Sequence, residues 1–430
     1  MHKSALIIIC LMAGIIANGQ ETYESLRIDY IHSGDAGTEN ISLKAYKAEP
    51  YFSGNSKHHI FPFDYGYYKV EVSSKSDNKL LYTYQYNTLF NEWQATKRAK
   101  EEIRAFEESV RIPFPKQAIV ITFYSRDTSL QWVKQNKFEI APDSPLIIRE
   151  EPTDYPSEKI HNSGDYREKL DLVIVPDGYT PEEMEKYRSD ASRFASYLLE
   201  CSPFDQHIDD INIWSLELTS KESGTDKPTR QEWNQTAIDA SFNTFGSQRY
   251  LTTASHFKLR DAVGGTPYDL IFILVNDDLY GGGGIFNFYS TATADNSKSD
   301  FLLVHEFGHH FAGLGDEYYT SDVAVEEYHN INVEPLEPNL TTLVDFDSKW
   351  QDMVDENTPI PTPARSKYNN TTGVYEGGGY VAKNIYRPYI DCTMKSVSYD
   401  NFCPVCQRAI IQMLKYYTGE ALDSRDSTDE

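Results

Sequence analysis

The sequence predicts an α+β protein in which a β-rich amino-terminal part precedes a mixed part built around one buried helix. Three observations predict it. Short β-type runs separated by turn residues occupy much of residues 20–155. Strand and helix patterns then alternate along residues 170–276. Finally, residues 301–311 are almost wholly apolar at helical spacing and contain the motif HExxH.

The first element, residues 1–19, has the form of an export signal. His2 and Lys3 give it a short basic start, residues 5–17 are apolar but too few to span a bilayer, and residues 17–19 form a small-residue cleavage site before Gln20. No later stretch approaches the roughly 18 apolar residues of a membrane span. We therefore expect a periplasmic, cell-surface or extracellular protein.

The net charge of the chain argues against some classes of binding partner. It carries 40 basic and 65 acidic residues, a formal charge of −25, spread along its length. Such a surface argues against nucleic acid and anionic membranes as partners. It is consistent with solubility outside the cell.

Residues 20–155 are predicted to form a β-sandwich-like domain that supports the second domain or holds its substrate. Its strands are expected at 23–30, 41–45, 67–72, 80–86 and 118–124. One long helix is expected at 89–110, since Ala95, Ala99, Ile103 and Phe106 recur at helical spacing.

The polar stretch 148–165 is the predicted linker to a second domain at 156–430. Apolar runs predict strands at 170–175, 211–218 and 270–276, with a helix at 181–201 between the first two. A mixed sheet packed against the HExxH helix follows from this order. The loop 220–230 is a candidate calcium site or a plain surface loop.

The motif HExxH comprises His305, Glu306 and His309. On a helix, positions i and i+4 share a face, so the two imidazoles converge on one point with the carboxylate beside it. This pattern is typical of catalytic zinc, which needs an open position for water and a base next to it. Ser299 and Asp300 are the predicted N-caps of the helix.

A third metal ligand is expected just after the helix. Gly313 and Gly315 suit a helix end and a sharp reversal, which brings Asp316 toward the metal, with Glu317 as the alternative. His310 points about 100° away around the helix from its neighbour and is expected either to be packed or to contact a metal ligand from behind.

The pattern HExxH followed by Gly313 and Asp316 resembles the metzincin signature, and DCTMKS at 391–396 resembles the methionine turn of those enzymes. Together with GDEYY at 315–319 and FCPVC at 402–406, it resembles the bacterial IgA-peptidase family of zinc metallopeptidases. The usual metzincin spacing puts the glycine three and the last ligand six residues after the second histidine. Here the glycine and Asp316 lie one residue further on.

This resemblance implies a metzincin-like catalytic domain and a secreted zinc endopeptidase with one catalytic zinc on His305, His309 and Asp316 and with Glu306 as the general base. It implies protein or peptide substrates, with host glycoproteins such as immunoglobulins as candidates. It also places a substrate-binding edge strand at 285–290. Candidate residues for stabilising the oxyanion are Tyr386, Arg387 and Tyr399.

Two other functions remain open at this point. One is a catalytically silent surface protein that keeps its zinc and binds a protein or a glycan. The other is a zinc hydrolase that acts on amides outside proteins. The intact Glu306 argues against the first, and an edge strand able to pair with a peptide argues against the second.

Four cysteines remain after signal removal: Cys201, Cys392, Cys403 and Cys406. In an exported protein an even number favours disulfides, and a bridge from Cys392 to Cys403 or Cys406 would attach the methionine turn to the last helix. The alternative is a structural zinc on these same three cysteines, with Cys201 as a candidate fourth ligand.

Overall fold

The computed structural model describes residues 23–54, 57–319, 330–397 and 401–422. It is an α+β protein with several sheets and few helices, as the sequence predicts. The predicted export signal lies outside the described residues and stays a prediction.

In chain order, the strands are β1 Ser25–Gly34, β2 Glu39–Glu49, β3 Tyr68–Ser74, β4 Leu80–Tyr86, β5 Arg104–Pro113, β6 Ile119–Arg126, β7 Trp132–Ile140, β8 Ile147–Ile148, β9 Ser157–His161, β10 Leu170–Asp177, β11 Ile211–Leu216, β12 Ala240–Ser241, β13 Thr252–Thr253, β14 Leu270–Val275, β15 Gly282–Ile285, β16 Tyr289–Thr293, β17 Tyr375–Gly378 and β18 Val381–Arg387. The α-helices are α1 Leu89–Gln94, α2 Met184–Leu199, α3 His256–Val263, α4 Ser299–Ala312 and α5 Pro404–Thr418.

The amino-terminal part contains two four-stranded sheets, ordered β5-β1-β2-β8 and β4-β3-β6-β7. Alternating residues of β3 are fully buried because successive side chains of a strand point to opposite faces. The rings of Tyr30 and Phe123 meet edge to face between the sheets, 5.0 Å apart. This arrangement agrees with the predicted β-sandwich.

The prediction of one long helix at 89–110 is wrong. Only α1 and one turn of 3-10 helix, Arg98–Lys100, are helical there, and 104–113 form β5, which pairs with β1 along its whole length. Phe106, Val110 and Ile112 are buried with the period of two of a strand, whereas Ile103 is 73% exposed. The helical spacing of a few apolar residues was coincidental, and pairing with β1 decided the conformation.

The second part is built on a mixed six-stranded sheet, ordered β15-β16-β14-β10-β11-β9. The four inner strands are parallel, and the two outer strands, β15 and β9, run antiparallel to their neighbours. α4 packs against β15 and β16 and also contacts α2 and α5. The sheet edge at β15 therefore lies beside the helix that carries HExxH.

The two faces of this sheet belong to different cores. Leu172 and Phe272 pack with the helices α2, α4 and α5, while Val173 and Ile271 pack with residues of the sandwich. The buried Arg27 of β1 reinforces this contact, since its guanidinium pairs with Glu49 at 3.0 Å, with Asp29 at 2.8 Å and with Asp261 of α3. The sandwich is thereby held against the sheet, although the predicted domain boundary stays a prediction.

Two further differences from the sequence predictions concern the second part. Ser299 and Asp300 are not the N-caps of α4: the helix begins at Ser299, whose hydroxyl donates a hydrogen bond to the carbonyl of Thr293. The hairpin of β17 and β18 was not predicted at all. No helix in the described residues is long and apolar enough to cross a membrane.

Candidate metal centre

The two histidines of α4 converge as their spacing predicts. The Nε2 atoms of His305 and His309 lie 3.2 Å apart. Each Nδ1 faces a backbone carbonyl: that of Thr393 at 3.0 Å from His305, and that of Leu314 at 2.5 Å from His309. Because a carbonyl only accepts, each Nδ1 carries the proton and each Nε2 keeps its lone pair for a metal.

Asp316 completes the group because the chain reverses after α4. Gly313 ends the helix in the left-handed conformation (φ 61°), which glycine adopts without a steric penalty. Asp316 Oδ1 then lies 3.1 Å from Nε2 of His305 and 3.4 Å from Nε2 of His309. Its other oxygen accepts a hydrogen bond from the hydroxyl of Tyr380.

These three ligand atoms fit a zinc ion. Zinc bonds of about 2.0–2.1 Å at tetrahedral angles place ligand atoms about 3.3 Å apart. The separations of 3.1, 3.2 and 3.4 Å between the three atoms match that value. Oδ1 of Asp316 is buried and accepts no well-aligned hydrogen bond in the described part of the chain. A cation is the partner that this oxygen needs.

Glu306 lies beside this group and lines the same cleft. Desolvation raises the pKa of its carboxyl above the ordinary value, while His305 and His309 act to lower it. His310 is fully buried, and its Nδ1 lies 3.0 Å from the hydroxyl of Ser290. Burial lowers the pKa of His310 to about 3, so it is a neutral packed residue, as predicted.

The glycine run before β16 explains how the sheet edge approaches the helix. A Cβ on Gly284 would lie 2.1 Å from the carbonyl oxygen of Glu306 and 2.9 Å from Cβ of His309. A Cβ on Gly282 would lie 3.0 Å from Cγ of Glu306. Only glycines allow β15 to lie this close to the motif.

A cleft of about 410 Å³ opens above the three candidate ligands. Its walls include side chains that were not among the predicted site residues: Glu92, Arg249, Tyr280, Tyr318 and Tyr380. Burial raises the pKa of Tyr280 to about 12, so its hydroxyl keeps its proton. Burial also raises the pKa of Glu92, to about 7, and its carboxylate accepts a hydrogen bond from Tyr250 at 2.9 Å.

Two of these residues had a signal in the sequence. Tyr318 belongs to GDEYY, and Tyr380 follows a run of three glycines. Glu92 and Arg249 lie far from any motif, and only folding brings them to the cleft.

Two of the three residues predicted to stabilise an oxyanion, Tyr386 and Arg387, do not line the cleft. Arg387 instead donates hydrogen bonds to the carbonyls of Glu376 and Gly377, and Tyr386 pairs through its backbone with Thr341. Both belong to β18, which pairs with β17. Tyr399 lies outside the described residues.

The prediction that residues 285–290 form the edge strand is also wrong. The edge strand is β15, and β16, which begins at Tyr289, is an inner strand. Part of the outer side of β15 is already paired, because Gly282 exchanges backbone hydrogen bonds with Arg249 and Leu251. Gly284 is the partly exposed residue of this strand.

The cysteines form no disulfide in the structure, contrary to the pairing favoured from the sequence. Three of them surround a buried carboxylate, in a group defined here as the cysteine cluster: Glu317, Cys392, Cys403 and Cys406. Glu317 thus faces the cysteines, whereas Asp316 faces the histidines. Neither group of candidate metal ligands in the described residues includes the loop 220–230.

Two protein-family models match the sequence. The model described as IgA Peptidase M64 matches residues 159–371 and 364–414. The model described as Peptidase M64 N-terminus matches residues 19–137. No curated protein matches the chain.

Proposed function

Since the chain belongs to the IgA Peptidase M64 family and so to a family of peptidases, we propose that it is a zinc-dependent endopeptidase. The proposed metal ligands are His305, His309 and Asp316, and the proposed general base is Glu306. One catalytic zinc per chain follows from this assignment.

The convergence of three ligand atoms at the floor of a cleft is the observation that supports this proposal most strongly. Three protein ligands leave a coordination position open, which is the arrangement of catalytic rather than structural zinc. The carboxylate of Glu306 shares the cleft with them. A structural site would have no use for a base at that position.

When bound, zinc supplies Lewis-acid chemistry, polarising the scissile carbonyl and making water more acidic. Glu306 takes the proton of the attacking water and then delivers it to the leaving amine. Its raised pKa suits this double task, because a group that both accepts and donates works best with a pKa near the operating pH. No covalent bond between enzyme and substrate is needed.

β15 is the proposed binding surface for an extended peptide. Its Gly284 lies at the sheet edge, beside the carbonyl of Glu306. A substrate strand paired with this edge would lay its backbone across the cleft, next to the candidate metal ligands. Backbone pairing at an edge is a general means of holding a peptide with few demands on its sequence.

Arg249 and Tyr318 are proposed to stabilise the negative charge that develops on the carbonyl oxygen. Both line the cleft, and Nη2 of Arg249 lies 3.5 Å from the hydroxyl of Tyr318. Donors fixed in advance around a developing charge lower the barrier because they need no reorganisation. They replace Tyr386 and Arg387 in this role.

Export to the periplasm, the cell surface or the medium remains part of the proposal, on the strength of residues 1–19. The substrate is proposed to be a protein. Host glycoproteins are candidates, among them immunoglobulin A, which the description of the family names.

The proposal is tested by comparing the wild type with Glu306→Gln on a broad peptide library, together with zinc content. We expect internal cleavage by the wild type. In the variant, kcat should fall by roughly 10²- to 10⁴-fold, the usual contribution of a general base. Bound zinc should stay at the wild-type level, because Glu306 is not a ligand.

Asp300→Asn is the matched control, since Asp300 is exposed in the first turn of the same helix. It should leave kcat and zinc content unchanged. Zinc binding by the wild type without cleavage of any peptide or folded protein would contradict the proposal in favour of a binding protein. A wild type without zinc would refute the ligand assignment.

A further inference from the structure

The cysteine cluster brings together ligand atoms from three separate segments. Glu317 follows α4, and Cys392 belongs to the segment DCTMKS at 391–396. Cys403 and Cys406 lie at the start of α5. One ligand atom from each of the four residues lies within 4.8 Å of all the others. The four side chains are 0–1% exposed.

We propose that the cysteine cluster holds a second zinc ion, structural rather than catalytic. With zinc–sulfur bonds of about 2.3 Å, a tetrahedral site places two sulfurs about 3.8 Å apart. The sulfurs of Cys392 and Cys406 lie 3.9 Å apart, and Cys406 Sγ lies 3.3 Å from Oε1 of Glu317. Four protein ligands close the coordination shell, as structural zinc sites require.

Glu317 is the observation that distinguishes a metal site from a group of packed thiols. Its carboxyl is fully buried, and none of the ion pairs in the described part of the chain includes it. Asn339 donates a hydrogen bond to Oε1 at 3.1 Å, but the buried Oε2 has no hydrogen-bond partner in the described residues. Burying such a group without a cation is costly.

The surroundings of the sulfurs also fit thiolate ligands. The backbone N–H of Cys403 points at Sγ of Cys392, at a distance of 3.2 Å. Backbone N–H groups that donate hydrogen bonds to a ligand atom orient that ligand toward the metal. Sulfur-rich tetrahedral sites select zinc among the ions that have no redox role. Cys201 lies outside the group, so Glu317 takes the fourth position that the sequence left to Cys201.

This second zinc would fix the two backbone segments that position the proposed ligands of the catalytic zinc. Glu317 is the neighbour of Asp316, and its backbone N–H donates to the carbonyl of Met394 at 2.8 Å. Cys392 is the neighbour of Thr393, whose carbonyl faces His305. Both candidate ligand shells therefore share these two short segments. Binding at the cysteine cluster is nevertheless independent of catalysis, because neither Glu306 nor the cleft contributes to it.

The first test is the zinc and thiol content of the wild-type chain from Gln20, isolated with zinc and without reductant. We expect two zinc ions per chain. All four thiols should react only after denaturation in the presence of a chelator. One zinc ion per chain, or only two reactive thiols in the denatured chain, would overturn the proposal, the latter by showing a disulfide.

The second test uses substituted proteins to identify which residues bind the second zinc ion. His309→Ala should keep one zinc, and cobalt in its place should show the sulfur-to-cobalt charge-transfer absorption of a thiolate site. Adding Cys406→Ser should reduce that absorption, because two of the three thiolate ligands remain, while adding Glu317→Gln should weaken metal binding at least about tenfold. Cys201→Ser is the matched control and should change neither. Cobalt bound without this absorption would refute thiolate ligation, even if the Cys406 variant fails to fold.

Discussion

At the scale of single residues, Tyr380 shows how the candidate metal site depends on distant parts of the chain. Its hydroxyl donates to Asp316, 64 residues earlier in the sequence. Its backbone N–H donates to the carbonyl of Tyr318 at 3.0 Å, and the N–H of Gly379 donates to that of Asp316 at 2.7 Å. The tip of the β17–β18 hairpin thus fixes both the backbone and the carboxylate of Asp316.

Tyr380→Phe should therefore weaken zinc binding at the catalytic site. Loss of a hydrogen bond that orients a metal ligand typically costs about 10- to 100-fold in affinity. The measurement is the free zinc concentration that gives half-maximal activity in metal-buffered solution. We expect it to rise by that factor, with little change in activity at saturating zinc.

Tyr386→Phe is the matched control, because Tyr386 belongs to the same hairpin but does not line the cleft. It should leave the zinc requirement unchanged. Equal effects of the two substitutions would show that the hairpin acts only through its stability.

At this scale the sequence predicts best the contacts between residues that are close in the chain. His305, Glu306 and His309 share one helical turn, so their spacing alone brings them together. The choice between Asp316 and Glu317 was less local, because consecutive residues point in different directions. In the structure, the cysteine cluster receives Glu317, which leaves Asp316 to the histidines.

At the scale of elements, the close contact of β15 with α4 depends on Gly284. Gly284→Ala would place a methyl group 2.1 Å from the carbonyl oxygen of Glu306, and neither backbone can turn aside. We expect the free energy of unfolding to fall by about 1–3 kcal/mol, as in other overpacked sites. Displacing Glu306 and His309 should also lower kcat/KM by roughly 10²-fold.

Urea unfolding and peptidase kinetics measure the two effects. Gly37→Ala is the control, because the nearest atom to its new methyl group within 4 Å would be Oδ1 of Asp35, at 3.9 Å. It should change neither quantity by much. A Gly284→Ala variant as stable and active as the wild type would mean that the strand does not lie this close to the helix.

Strands marked by a short apolar run between turn residues were predicted well from the sequence. β4 has the predicted bounds, and β10, β11 and β14 lie within two residues of theirs. The error at β5 arose because alternation and helical spacing coexist in a short window, and only pairing with β1 selects between them. The β17–β18 hairpin was not predicted because its strands show little periodicity. β17 is rich in glycine, and β18 is partly polar.

At the scale of the whole molecule, stability should depend on pH through a buried charge cluster in the sandwich. The imidazole of His32 lies 2.9 Å from Glu108 and 3.0 Å from Glu39. Burial acts to lower its pKa, but the two carboxylates outweigh burial and raise the pKa to about 9. In the unfolded chain the pKa of histidine is about 6.5.

Because the folded-state pKa is the higher one, the folded protein binds the proton more tightly. The stabilisation is fully present below pH of about 6.5 and is lost as pH rises through about 9. The shift corresponds to roughly 3 kcal/mol in the free energy of unfolding. Urea unfolding between these two pH values should show that loss.

Glu108→Gln should reduce this pH dependence, because it removes one of the two charges that hold the proton on His32. Glu101→Gln removes a carboxylate from an exposed turn and serves as the control. An unchanged pH profile in the Glu108 variant would show that His32 is neutral in the folded protein.

The sandwich also contributes to the cleft. Glu92 of α1 lines it, and Tyr250, which bonds to Glu92, lies beside β15. The contact arises because the sandwich and one face of the six-stranded sheet share a core. A role of the amino-terminal part in holding substrate stays a prediction, and Glu92 is the residue through which it would act.

By itself, the sequence determined the α+β class, the motif helix with its two convergent histidines and the glycine that ends it. These features follow from periodicities and conformational preferences within a few residues. Only the tertiary structure decided that Asp316 faces the histidines, that Glu317 joins three cysteines, and that Glu92 and Arg249 wall the cleft. The physical reason is that such contacts join residues far apart in the chain. Their energies depend on how whole sheets and helices pack, which no local pattern encodes.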